Sequence, residues 1–234
     1  MSAFASDLTQ EQEDNLVLKA VRRFAAVGGI ELPNVRLTLE KWLPVASGIG
    51  GGSSDAAAAL RLMSRYCEIS LVADKEAELA LSLGADVPVC LTQSASRMSG
   101  IGEKLANVPV MPTAGVVLVN PLKTVSTPDV FERMAQKDNA PLPPMPDCFE
   151  SLEGLVNYLR DTRNDMQRAA ETLCADIIDV NETLIAQPGV KFARMSGSGA
   201  TCFALCDTGQ EALIAKAVNQ AHPHWWVASG ELHS

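Results

Sequence analysis

The chain has 234 residues, 47% of them apolar and 20% charged, the balance of a folded globular protein rather than a disordered one. Its 19 basic and 28 acidic side chains give a net charge of −9, which argues against a general nucleic-acid or anionic-membrane surface. No apolar run approaches the roughly eighteen residues that span a bilayer, and the opening "MSAFASDLTQEQEDN" lacks the basic-then-apolar order of a secretory signal. The expectation is a cytoplasmic protein with no membrane and no nucleic-acid partner.

Along the chain, "EDNLVLKAVRRFAAVGG" sets apolar residues at 16, 17, 20, 21, 24 and 27, the spacing of one helix face, and stops at Gly28 and Gly29. "VRLTLEKWL" (35–43) alternates apolar and polar side chains and predicts a half-buried strand. A glycine-rich stretch follows, and "SDAAAALRLMSRYC" then predicts a helix capped by Ser53 or Ser54. "DKEAELALSLG" predicts a helix with acids at its start and Gly84 at its end. "TAGVVLVNP" (113–121) is a buried strand and "TPDVFERMA" a short helix with Pro128 in its first turn. The prolines of "KDNAPLPPMPD" (137–147) predict a loop. Helices over about 149–186 lead to the strand "VKFARMS", the turn "GSG" and the strand "ATCFALC", with a helix over 209–221 and a terminal strand "WWVAS". Strands interleave with helices, so the class is α+β with mixed sheets. A division near 120 separates an N-terminal domain (1–120) from a C-terminal one (121–234).

Six cysteines, at 67, 90, 148, 174, 202 and 206, include no CxxC pair and read as reduced, mostly buried thiols. Cys202 and Cys206 fall on one side of their strand, as core residues do. The histidines at 222, 224 and 233 lack ligand spacing, so no metal is assigned to them.

The segment "LPVASGIGGGSSDAAAAL" (43–60) carries the chemistry. Glycines let main-chain N–H groups approach a ligand with no side chain between. Placed before a helix, they gather unpaired donors at the positive end of its dipole, a site for a polyphosphate. A flexible strand-to-helix corner is the plain alternative. No Lys-Ser/Thr pair follows the glycines, so this is not a Walker A loop.

Three stretches in fixed order are more specific: "LPVASGIGGGSSDAAA", "LSLGADVPVCL" (81–91) and "RMSGSGATCFAL" (194–205). The first closely resembles the phosphate loop of the GHMP kinases, small-molecule kinases that do not use a P-loop, and the others resemble that family's next two motifs. The forms "GGGSSDAA" and "LGADVPV" are similar to those of the member acting in non-mevalonate isoprenoid precursor synthesis. "EDNLVLKA" near the start resembles it too, and "RND" (163–165) sits where it carries an Asn-Asp pair. The resemblance implies a two-domain α+β fold, ATP with magnesium, and a cytidine-diphosphate-linked polyol whose 2-hydroxyl accepts the phosphoryl group. A monomer or weak homodimer is expected.

Residue roles carried by the resemblance are these. Asp86, in "GADVP", stands at the family's catalytic base, on a turn expected at a sheet edge between a glycine stop and Pro88. Its plain reading is a turn or capping aspartate. ATP would be held by Pro44, Val45, Ala46, Ser47, Gly48, Ile49, Gly50, Gly51, Gly52, Ser53 and Ser54, with Ser54 a possible magnesium contact. Lys41 and Asn15 match positions near the adenine, although Lys41 also reads as a solvated strand-end charge. Gly197, Ser198 and Gly199 match a loop that closes on the phosphate-transfer site, or form a simple β-turn. Asp55 reads as an N-terminal helix acid, and Asn164 and Asp165 as a helix start.

Two departures qualify the likeness. The family's opening strand, near Ala-Lys-Ile-Asn-Leu, and its Gly-Tyr-His element are not found in this sequence, so a truncated start is expected. Where some members place a cytosine-stacking aromatic, "AETLCAD" around Cys174 has none. Another small-molecule kinase of the family, or a nucleotide-binding fragment inactive for want of the first motif, is the alternative.

Overall fold

Asn15 starts the first helix by accepting a hydrogen bond from the Val17 N–H on its side-chain oxygen at 2.9 Å, and α1 runs over Leu16–Gly28. The computed structural model describes residues 15–45 and 47–232. It divides into two units: Met1–Val45 with Gly50–Val108, and Ala46–Ile49 with Pro109–Ser234. Ala46 of the glycine-rich loop and His233 lie outside the described residues.

In the first unit α1 is followed by α2 (Gly51–Tyr66), α3 (Ala73–Leu83), α4 (Val87–Thr92) and an antiparallel hairpin of β1 (Ser96–Ser99) and β2 (Lys104–Asn107). The alanine run explains the packing. Ala56, Ala57 and Ala59 are buried, and their short side chains let α2 lie closely on α1 through Ala20, Val21 and Phe24. Leu79, Ala80, Leu83 and Val87 complete this core.

Two expectations fail here. Residues 35–43 form no strand, because no neighbouring strand among the described residues takes up their backbone groups. An alternating pattern alone does not make a strand; the ladder does. Nor do Ser53 and Ser54 cap α2. Gly50 does, in a left-handed conformation (φ 70°), and both serines lie inside the helix.

The second unit holds β3 (Ala114–Asn120), α5 (Thr127–Arg133), α6 (Leu152–Arg160), α7 (Gln167–Leu173), α8 (Asp176–Ile185), β4 (Val190–Met195), β5 (Cys202–Cys206), α9 (Glu211–Ala221) and β6 (Trp226–Leu232). Its four strands stand in the order β4-β5-β3-β6, every pair antiparallel. The strand period sorts the side chains onto two faces. Val117, Val119, Cys202, Ala204 and Cys206 pack with Ile177, Val180 and Leu184 of α8 and Ile214 and Val218 of α9. Leu205 and Phe203 face the other way, toward α6 and Phe149. The second unit takes up the chain at Pro109, so β3, which a division at 120 puts in the N-terminal domain, pairs on both sides with β5 and β6. The class is α+β. No helix among the described residues is long and apolar enough to cross a membrane.

Candidate functional site

In the first unit, the start of α2 is a helix end without a side-chain cap. The Ser54 N–H reaches the Gly50 carbonyl at 2.9 Å, the first bond of the ladder. Helix geometry leaves the amides of Gly51, Gly52 and Ser53 ahead of it as donors, at the positive end of a 16-residue dipole. A serine or aspartate cap would have occupied one of them. Gly52 and Ser54 are exposed and Ser53 is half-buried.

Lys41 is buried, and its Nζ lies 2.6 Å from Asp55 Oδ2. The ammonium also sits beside Gly51, 3.8 Å from where a Cβ there would stand. It is therefore no solvated strand-end charge. Asp55 is its ion-pair partner, and Asn15 caps α1.

Asp86 is exposed and occupies the cap position of α4, but its side chain makes no capping bond. The expected sheet-edge turn is instead a helix-to-helix corner between α3 and α4. Val87, fully buried, and Pro88 in the first turn of α4 fix that corner. Gly84 brings it against α2: a Cβ on Gly84 would stand 4.0 Å from Ser53 Oγ. On the other side Gly102 (φ 107°) of the hairpin tip lies so close to the Ala85 carbonyl that no Cβ fits between them. The Arg61 guanidinium donates to the Cys90 carbonyl at 3.0 Å, tying α2 to α4. Burial pushes the Cys90 thiol up, the Asp86 charge adds to this, and Arg61 opposes it.

In the second unit, Ser47 and Gly48 lie on the turn between β4 and β5. Ser196 Oγ donates to the Gly48 carbonyl at 2.9 Å, and the Thr201 N–H donates to the Ser47 carbonyl at 3.3 Å. Gly48 (φ 72°) approaches so closely that a Cβ would stand 2.6 Å from both the Gly199 and Ser196 oxygens. The Gly197-Ser198-Gly199 turn is thus the seat of Ser47 and Gly48. Pro44, in the first unit, is buried and Val45 exposed.

Sequence reasoning missed three residues of this turn's support. Asn120 is buried and donates from Nδ2 to Thr201 Oγ1 at 2.8 Å. Thr127 Oγ1 and Ser198 Oγ are 2.8 Å apart. An asparagine ending the apolar run "VVLVN" was the available signal, since a buried amide requires a partner. Cys174, at the position considered for a stacking aromatic, is buried in the sheet core. Among the described residues no group of three or more His, Cys, Asp or Glu side chains is placed to hold a metal ion.

Comparisons with known proteins agree with this layout. Residues 15–94 match the GHMP kinases N terminal domain, and residues 147–224 match the GHMP kinases C terminal family. A 4-diphosphocytidyl-2-C-methyl-D-erythritol kinase of Gluconacetobacter diazotrophicus is 47% identical over 99% of this chain and 76% of its own length. One of Cereibacter sphaeroides is 46% identical over 94% of this chain and 77% of its own. Among solved structures, a 4-(cytidine 5'-diphospho)-2C-methyl-D-erythritol kinase superposes with TM-score 0.75 at 26% identity, covering 96% of this chain and 80% of that one. The homoserine kinase of Cytophaga hutchinsonii, at TM-score 0.72 and 17% identity over 98% of this chain and 79% of its own, shares the fold.

Proposed function

The chain belongs to the GHMP kinases, and we propose that it transfers the terminal phosphoryl group of ATP to the 2-hydroxyl of 4-diphosphocytidyl-2-C-methyl-D-erythritol, in the cytoplasm, for isoprenoid precursor synthesis. The observation that carries this reading is the meeting, within one unit, of the uncapped first turn of α2 with the Gly84–Asp86 corner. Donors for a polyphosphate and an accessible carboxylate are what phosphoryl transfer to an alcohol requires. The likeness to that kinase, sustained through both halves of the chain, supports the choice of substrate.

The reading gives these residues the following roles. The amides of Gly51, Gly52 and Ser53, with Ser47–Gly50 leading into them and the serine hydroxyls beside them, hold the triphosphate. The family resemblance puts Lys41 and Asn15 toward the nucleotide's base; in the structure Lys41 pairs with Asp55 beside Gly51, and Asn15 caps α1. Asp86 accepts the proton of the acceptor hydroxyl as its oxygen bonds to the γ-phosphorus, while the bond from phosphorus to the ADP oxygen breaks. Magnesium neutralises phosphate charge when bound. Ser54, exposed in the first turn of α2, is the side chain of this loop that would contact the ion, and the charge neutralisation would fall on the phosphates beside it. The 15–94 region is the ATP-binding domain in this reading.

The test is ADP release from the purified chain with the cytidine-linked polyol, mevalonate and homoserine offered separately. Turnover with the first alone is expected. Turnover only with another acceptor overturns the substrate, and ATP binding with no turnover overturns the enzymatic reading for this chain.

A further inference from the structure

Asn164 stands outside the residues given a role above, yet both donor bonds of its side-chain amide go to one turn. Nδ2 donates to the Met195 carbonyl at 3.0 Å and to the Gly197 carbonyl at 2.8 Å. Oδ1 accepts from the Met166 N–H at 3.0 Å, which fixes the amide's orientation from its own end of the chain. The two carbonyls flank Ser196, whose hydroxyl holds the Gly48 carbonyl. We propose that Asn164 is a positioning residue for nucleotide binding: it sets the Met195–Gly197 backbone, and through it the Ser47–Gly48 part of the phosphate loop.

Three features make the coupling tight. A Cβ on Gly197 would stand 2.7 Å from the Gly48 oxygen, and one on Gly48 would meet Gly199 at 2.6 Å, so neither turn moves without displacing the other. The Gly199 N–H closes back on the Ser196 carbonyl at 3.0 Å, making residues 196–199 one rigid turn. The far side of that turn is already fixed by Asn120 on Thr201 and by Thr127 on Ser198. Asn164 supplies the hold from the helical side. Only a primary amide serves two carbonyls and one N–H at once; an aspartate of the same shape would face both carbonyls with acceptors alone.

The inference rests on the proposed ATP site, and the experiment separates the two. Asn164→Ala and Asn164→Asp are compared with Ser151→Ala, which removes the cap of α6 in the same unit without touching the turn. The measurements are KM for ATP, KM for the acceptor, kcat, and direct ATP binding. Both Asn164 variants are expected to weaken ATP binding and raise KM for ATP by about tenfold, the effect of one or two lost hydrogen bonds, with KM for the acceptor unchanged. Ser151→Ala is expected to lower the melting temperature alone. Should Asn164→Asp fail to fold, Asn164→Ser, which keeps one donor, carries the same measurement. Wild-type ATP affinity in the variants overturns the role of Asn164 alone. A wild-type chain that binds no ATP overturns the site reading, and the inference with it.

Discussion

Lys41 and Asp55, one before the glycine loop and one after it, meet at 2.6 Å with the lysine side chain 9% exposed and the aspartate 27%. The pair fastens the segment ahead of the loop to the helix behind it. Its two members are not equivalent. Asp55→Asn takes a counter-charge from a buried ammonium and is expected to cost about 1–3 kcal/mol. Lys41→Met leaves a carboxylate that water already reaches, and is expected to cost under about 1 kcal/mol. Urea midpoints of the two variants measure the asymmetry; equal losses would contradict it.

Gly48 and Gly52 separate a structural glycine from a functional one. At Gly48, with φ 72° and backbone oxygens in the way, alanine is expected to cost about 2–3 kcal/mol and to raise KM for ATP. At Gly52 nothing lies within 4 Å of an added Cβ. Gly52→Ala is therefore expected to hold or raise stability, by up to about 1 kcal/mol, while its methyl blocks a triphosphate from the main chain. Melting temperature and ATP affinity, read together, diverge in this variant, the first held or raised and the second lowered, only if that amide row is the binding surface.

Asp86→Asn is expected to lower kcat by about 10²–10⁴-fold. The side chain is exposed and caps nothing, so far-UV circular dichroism and melting temperature should stay as in the unaltered chain. Retention of most of the turnover would remove Asp86 from the chemistry.

Gly102→Ala has no contact with ATP to lose, but it drives a methyl into the Ala85 carbonyl. Displacing the residue next to Asp86 is expected to reduce kcat by about 10–100-fold, since misplacement near 1 Å is felt on that scale. ATP binding, measured by titration, should be unchanged.

The thiols report burial. Burial pushes Cys202 up to about 12 from its ordinary value of 9.0. Below about 9 both folded and unfolded chains keep this proton. Between there and about 12 only the folded one does, so this cysteine's contribution to stability falls as pH rises through that window. A thiol reagent at pH 8 should label exposed Cys148 at once and Cys202 only on unfolding. Early labelling at Cys202 would contradict the burial.

How much of this was legible in the sequence differs by kind of feature. Periodicity located α1, α3, β3 and β5, because these depend on neighbours in the chain; the cap that Asn15 gives α1 was not read. The segment 35–43 read as a strand for the same local reason, and failed because a strand depends on a second one. The hairpin of β1 and β2 and the short α4 were passed over. The first has a weak alternation around "SGIG", and the second is too short to show a helical period. Motif order pointed to Asp86 and the glycine loop. What no linear pattern carried was the pairing of Lys41 with Asp55, or of Asn164 and Asn120 with a turn far along the chain. Those polar residues are explained only by what stands opposite them.

The bond from Ser196 to Gly48 spans 148 positions. During synthesis, residues 47 and 48 leave the ribosome long before the turn that seats them, and the helix behind them is complete while its approach is still unshaped. Nucleotide affinity in a growing chain should therefore arrive late and abruptly, when the β4–β5 turn closes, rather than accumulate with length.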